Sequence, residues 1–86
     1  MAKQYVITST RPFTGRSSES KPMTVQEAVQ YFGYTLECGA SYSHERGNKK
    51  INRNPKSISS LITNLNNASN NSAANGCGTY YEAREV

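Results

Sequence analysis

Residues 54–72 read NPKSISSLITNLNNASNNS, and Ile58, Leu61, Ile62, Leu65, Ala68 and Ser72 recur within them at the three-to-four-residue spacing of one helix face. Asn54 stands where an N-cap belongs and Pro55 where a first helical residue tolerates proline, so the spacing predicts a helix opening at Asn54–Pro55. Ser59, Ser60, Thr63, Asn67, Asn70 and Ala74 fall opposite the apolar stripe, flanked by Asn64, Asn66 and Asn71. An exposed helix face ordinarily carries Lys and Glu, whereas this one is small, amide-rich and neutral. Such a face suits close approach of another surface without desolvation of charge. Asparagine is a mediocre helix former, so the alternative of a helix ending near Leu65 and an irregular tail through Gly76 stays open.

Working outward, Lys3–Thr10 (KQYVITST) is rich in β-branched and aromatic residues and alternates around Tyr5 and Ile7, as a strand does. Arg11–Pro22 brings Pro, Gly and three serines, a loop or a wide hairpin returning through a short second strand. Thr24 stands three residues before Glu27, and Val25, Ala28, Val29 and Phe32 follow at helical spacing, which predicts a first helix over 24–32 with a capping box and Gly33 as its stop. Residues 34–40 read as a further turn ending at Gly39. Beyond the second helix, Thr79–Val86 (TYYEAREV) closes the chain as a strand in which Tyr80 and Tyr81 face opposite ways, so that at most one is core. Residues 1–86 thus form one α+β domain, a small antiparallel sheet with two helices packed on one face.

Leu, Ile, Val and Phe supply only thirteen core positions: Val6, Ile7, Phe13, Val25, Val29, Phe32, Leu36, Ile51, Ile58, Leu61, Ile62, Leu65 and Val86. That fraction lies below the roughly 20% at which disorder is considered, but disorder also requires high net charge. The charge is only +4, so an ordered domain is expected, with the six tyrosines supplementing the core. Thin cores commonly need a staple or another subunit, which makes self-association an expectation. Cys38, Cys77 and His44 form no metal-ligand set, the chain contains no Asp, and no cofactor motif is present. No apolar signal segment follows Met1, and a mean hydropathy of −0.74 with no long apolar run argues against a membrane span. A reducing cytoplasm with two free thiols is expected; a Cys38–Cys77 disulfide is the alternative.

All nine asparagines lie after Gly47, and half of the ten basic residues cluster between Arg46 and Lys56, after which no charge appears from Ser57 to Tyr81. The segment GNKKINRNPKSISS therefore joins a glycine turn, clustered cations and a helix start, where unpaired N–H groups favour anions. The candidate ligand-binding residues are Tyr42, His44, Arg46, Asn48, Lys49, Lys50, Asn52, Arg53, Asn54, Lys56 and Ser57. The cations supply charge, the amides read polar edges, and Tyr42 and His44 offer rings for stacking on bases. The expected partner is an anionic ligand, a nucleotide or nucleic acid; the plainer alternative is a solvated basic loop. Thr63, Asn67, Asn70 and Asn71 are candidate interface residues for a second copy, a partner protein or a base-bearing ligand. Catalysis lacks support: His44 beside Glu45 and the lone Cys38 have no orienting partner, and the P-loop spacing is absent.

The block 41–76, through its elements GNKKIN, NPKSISSL and LNNA, resembles small accessory proteins encoded by tailed bacteriophages. The resemblance implies a protein made in the bacterial cytoplasm that binds and disables a host system, immunity included, either by sequestering a nucleotide signal or by occluding a nucleic-acid-handling machine. It transfers no residue roles.

Overall fold

Tyr5–Arg11 forms the first strand, β1, and Arg16–Glu19 the second, β2. The computed structural model describes residues 3–11, 14–42, 50–72 and 79–86, with the backbone alone at Tyr42, Asn71 and Ser72. In the turn between β1 and β2 the Thr14 and Gly15 N–H groups donate to the Arg11 carbonyl at 3.2 and 2.8 Å, and Gly15 takes a φ of 72° that a side chain would resist. The last strand, β3 (Tyr80–Glu85), pairs with the other edge of β1, giving an antiparallel sheet of order β2-β1-β3. Register sets Ile7 opposite Ala83, and Ser9 between Ser18 and Tyr81. Pleat alternation then turns Ile7, Ser9, Tyr81 and Ala83 to one face and Val6, Thr8, Tyr80, Glu82 and Arg84 to the other. On that second face Arg84 reaches across β1 to Glu19 at 3.2 Å.

Three helices cover the first face where two are expected. The first, α1 (Val25–Tyr31), has the expected capping box: Glu27 N–H donates to Thr24 Oγ1 at 3.2 Å, and Thr24 N–H donates to Glu27 Oε1 at 2.9 Å. Gly33 does not end the helical path; α2 runs Gly33–Tyr42, with Leu36 N–H donating to the Phe32 carbonyl across the junction. Gly39 lies inside α2 rather than at its end, and a Cβ there would overlap Cβ and Cα of Ala68. The glycine is thus explained by a close approach between helices.

The third helix, α3 (Ile58–Ser72), starts later than expected and runs past Leu65. Its cap is Ser57, whose Oγ accepts from Ser60 N–H at 3.2 Å while its carbonyl accepts from Leu61 N–H at 2.9 Å. Pro55 is buried ahead of the helix instead of opening it. At the far end α3 stitches itself to β3. Asn66 Oδ1 accepts from Tyr81 N–H at 2.7 Å and Asn66 Nδ2 donates to the Tyr81 carbonyl at 3.1 Å. Ser69 Oγ accepts from Thr79 N–H at 2.6 Å. The Asn66 amide does for the edge strand what a neighbouring peptide would do, covering one position of an otherwise open edge.

The core joins Ile7, Met23, Ala28, Phe32, Leu36, Leu61, Leu65 and Tyr81, with Val29, Ile51, Ile58, Ile62 and Ala83 packed against it. Tyr81 meets Phe32 edge to face, ring centroids 5.6 Å apart. Tyr80, as alternation requires, is exposed. Val86 is exposed at 61%, contrary to its expected core role, because it follows the end of β3; Phe13 lies outside the described residues. Met23 enters the core through a bridge to Tyr5 that a count of aliphatic residues does not reveal. No helix among the described residues is long and apolar enough to cross a membrane.

Candidate functional site at the start of the third helix

Residues 50–57 have no regular secondary structure, yet they are held from both sides. Ile51 packs on the core and Pro55 is buried, so the chain between them is pinned by apolar anchors. Asn52 N–H donates to Asn64 Oδ1 at 2.7 Å, and Asn64 Nδ2 donates in turn to the Ser60 carbonyl at 2.7 Å, which ties the loop to the first turns of α3. Asn54 N–H donates to Asn52 Oδ1 at 2.9 Å, a local Asx turn. Of the expected ligand-reading amides, the side-chain oxygen of Asn52 therefore also shapes the loop.

The cations divide by their partners. Arg53 Nε donates to Glu37 Oε2 on α2 at 2.6 Å, both side chains being more than half exposed. Such a pair is worth little energetically, but it directs the guanidinium toward α2. Lys50 and Lys56 are exposed and have no ion-pair partner among the described residues. No acidic residue lies in the first turn of α3. Ser57 is the cap rather than a first-turn residue, so its hydroxyl oxygen is already an acceptor for the helix; Ser59 Oγ lies 3.4 Å away. The structure thus brings Lys50, Asn52, Arg53, Asn54, Lys56 and Ser57 onto one short pinned segment leading into a helix start. His44, Arg46, Asn48 and Lys49 lie outside the described residues, and Tyr42 is described only as backbone at the end of α2. Cys77 also lies outside them, and Cys38 is half-buried on α2.

On α3, Thr63 and Asn70 are exposed and Asn67 is half-buried; Asn71 is described as backbone only. Asn64 and Asn66, expected to flank this face, are instead engaged within the molecule. Glu37, Ile51 and Pro55 shape the site without standing out in the sequence as ligand residues; only the apolar Ile51 set between Lys50 and Asn52 marks an anchor. Comparisons of the chain with protein-family models, curated protein sequences and solved structures return no match.

Proposed function

We propose that the protein is a non-enzymatic binder that engages a phosphate-bearing ligand, a nucleotide signal or a nucleic acid, through residues 50–57 and the start of α3. The observation that supports this most directly is the pair Lys50 and Lys56. Both are exposed and lack an ion-pair partner among the described residues, and they bracket a pinned turn leading into a helix start with no acid in its first turn. A fixed arrangement of cations and helix dipole attracts phosphate without the ordering cost of a loose loop. The setting, antagonism of a host or immune system in a bacterial cytoplasm, rests on the resemblance of residues 41–76 to phage accessory proteins.

A second reading draws on α3 itself. The helix runs to Ser72, so Thr63, Asn67 and Asn70 belong to one continuous uncharged surface that suits a second copy or a host protein. One titration series separates the two. Binding of single-stranded oligonucleotides and of nucleotides is measured over rising salt for the wild type and a Lys50→Ala, Lys56→Ala variant. Phosphate recognition gives affinity that falls steeply with salt, and loss of two phosphate contacts lowers the log–log slope by about 1.4 for single strands. If the wild type binds neither class of ligand, or the variant matches it at every salt concentration, the phosphate reading is lost. Salt-insensitive dimerisation in the same samples favours the α3 surface.

A further inference from the structure

A separate concentration of positive charge lies on the sheet. Arg11 closes β1 and Arg16 opens β2, and the hairpin register sets them directly opposite each other. Pleat alternation turns both to the face carrying Ser9 and Ser18, the neighbouring same-face pair of the same register. Tyr81 lies beside Ser9 on β3. Together with Ser17 and Thr79 these five line an open cavity of about 450 Å³ whose wall, among the described residues, holds no carboxylate. Arg11 is close enough to act on Tyr81. Burial raises the pKa of that hydroxyl, while a hydrogen bond with Thr35 and the Arg11 charge pull it down.

Like charges facing each other across an antiparallel ladder destabilise it. Three other described cations are compensated, Lys3 by Glu85, Arg53 by Glu37 and Arg84 by Glu19. Among the described residues neither Arg11 nor Arg16 has such a partner. Two guanidinium forks match a tetrahedral oxyanion, and two positive charges suit a dianion better than a carboxylate. The Ser9 and Ser18 hydroxyls can donate to its remaining oxygens. The cavity exceeds what a bare phosphate fills, leaving room for the group that carries it.

We propose that this cavity binds a phosphate monoester, gripped between the Arg11 and Arg16 side chains and hydrogen-bonded by Ser9 and Ser18. The site is distinct from residues 50–57 and does not depend on their role.

The test is a titration of the 15N-labelled full chain with inorganic phosphate and then with a nucleoside monophosphate, ionic strength held constant with chloride and acetate used as a comparison anion. Saturable shifts are expected at the Ser9, Arg16, Ser18 and Thr79 amides. Acetate should bind at least about tenfold more weakly, and an Arg11→Gln, Arg16→Gln variant should lose at least about tenfold in phosphate affinity, the scale of one lost charge-assisted contact. Lys21→Ala, a cation outside the cavity wall, should leave the affinity unchanged. Arg16→Glu replaces the like-charged pair with an opposite one, so it should abolish phosphate binding and raise Tm. The proposal is overturned by shifts confined to Lys50–Ser57, by no saturable shift at the hairpin, by an equal response to acetate, or by Arg16→Glu retaining phosphate affinity.

Discussion

Asn66 engages both ends of its amide with the backbone of one residue, Tyr81, and so acts as a single residue of a fourth strand. Only asparagine among residues of this length presents a donor and an acceptor with peptide geometry, which explains why the position is not the Lys or Glu of an ordinary helix surface. Asn66→Ala leaves the Tyr81 N–H and carbonyl without these partners and should destabilise the domain by about 2 kcal/mol, the usual penalty for orphaned part-buried groups. Urea denaturation measures that loss, and faster hydrogen exchange at the Tyr81 amide should accompany it; a variant as stable as the wild type would show that water replaces the asparagine at no cost. Glu27 carries a second prediction at this scale. Its carboxylate accepts from the Thr24 backbone N–H and shares a hydrogen bond with the Thr24 side chain, which hold its pKa below the usual 4.5, so the carboxylate's contribution to folding is present above that value and disappears as pH falls through the lowered one. Glu27→Ala should therefore be less stable than wild type at neutral pH and show a shrinking deficit in acid, measured by denaturation at pH values on either side of 4.5.

Between elements, the decisive contact is Gly39 against Ala68, where α2 and α3 meet with almost no side chain between them. Gly39→Ala should destabilise by about 1–3 kcal/mol through overpacking, more than the helix-propensity gain returns, because the obstacle includes backbone rather than a flexible side chain. Thermal unfolding checks the sign: a higher Tm would mean the two helices separate freely. The same contact shows what the sequence can and cannot convey. The α3 period was legible because Leu61, Leu65 and Ala68 follow a local rule, and the capping box was legible because Thr24 and Glu27 meet within one turn. The extent of α2 was not, since Gly39 reads as a stop until Ala68 is seen beside it. The expected start of α3 at Asn54–Pro55 fails for a related reason: the helix begins at Ile58 behind a Ser57 cap, and Pro55 is buried ahead of it, a tertiary event that no local rule conveys.

At the scale of the molecule, the α+β class and the opposite facing of Tyr80 and Tyr81 follow from pattern alone, whereas which of the two is buried, and the use of the amides, do not. By sequence Asn52 belongs to a ligand-binding loop and Asn64 and Asn66 to the flanks of a neutral helix face, whereas the folded chain uses their amides to fasten a loop to a helix and a helix to a strand. The recognition proposed above correspondingly rests on fewer residues, Lys50 and Lys56 near α3 and Arg11 and Arg16 on the hairpin. The hairpin pair has a sequence signature after all, two arginines around PFTG at 12–15, but its meaning depends on a register that places them face to face.

The strand order carries a kinetic consequence. β1 is the middle strand, yet one of its two partners is β3, from the opposite end of the chain, with Tyr5 set against Glu85. The hairpin and the capped helices are local and can form in microseconds, but the β1–β3 ladder requires closure of nearly the whole chain before any of its hydrogen bonds is gained. A nascent chain emerging from the ribosome would therefore hold Ile7 and the helices in a loose, exchanging assembly until Tyr80–Glu85 arrives, and the late step would be the docking of that segment between β1 and Asn66.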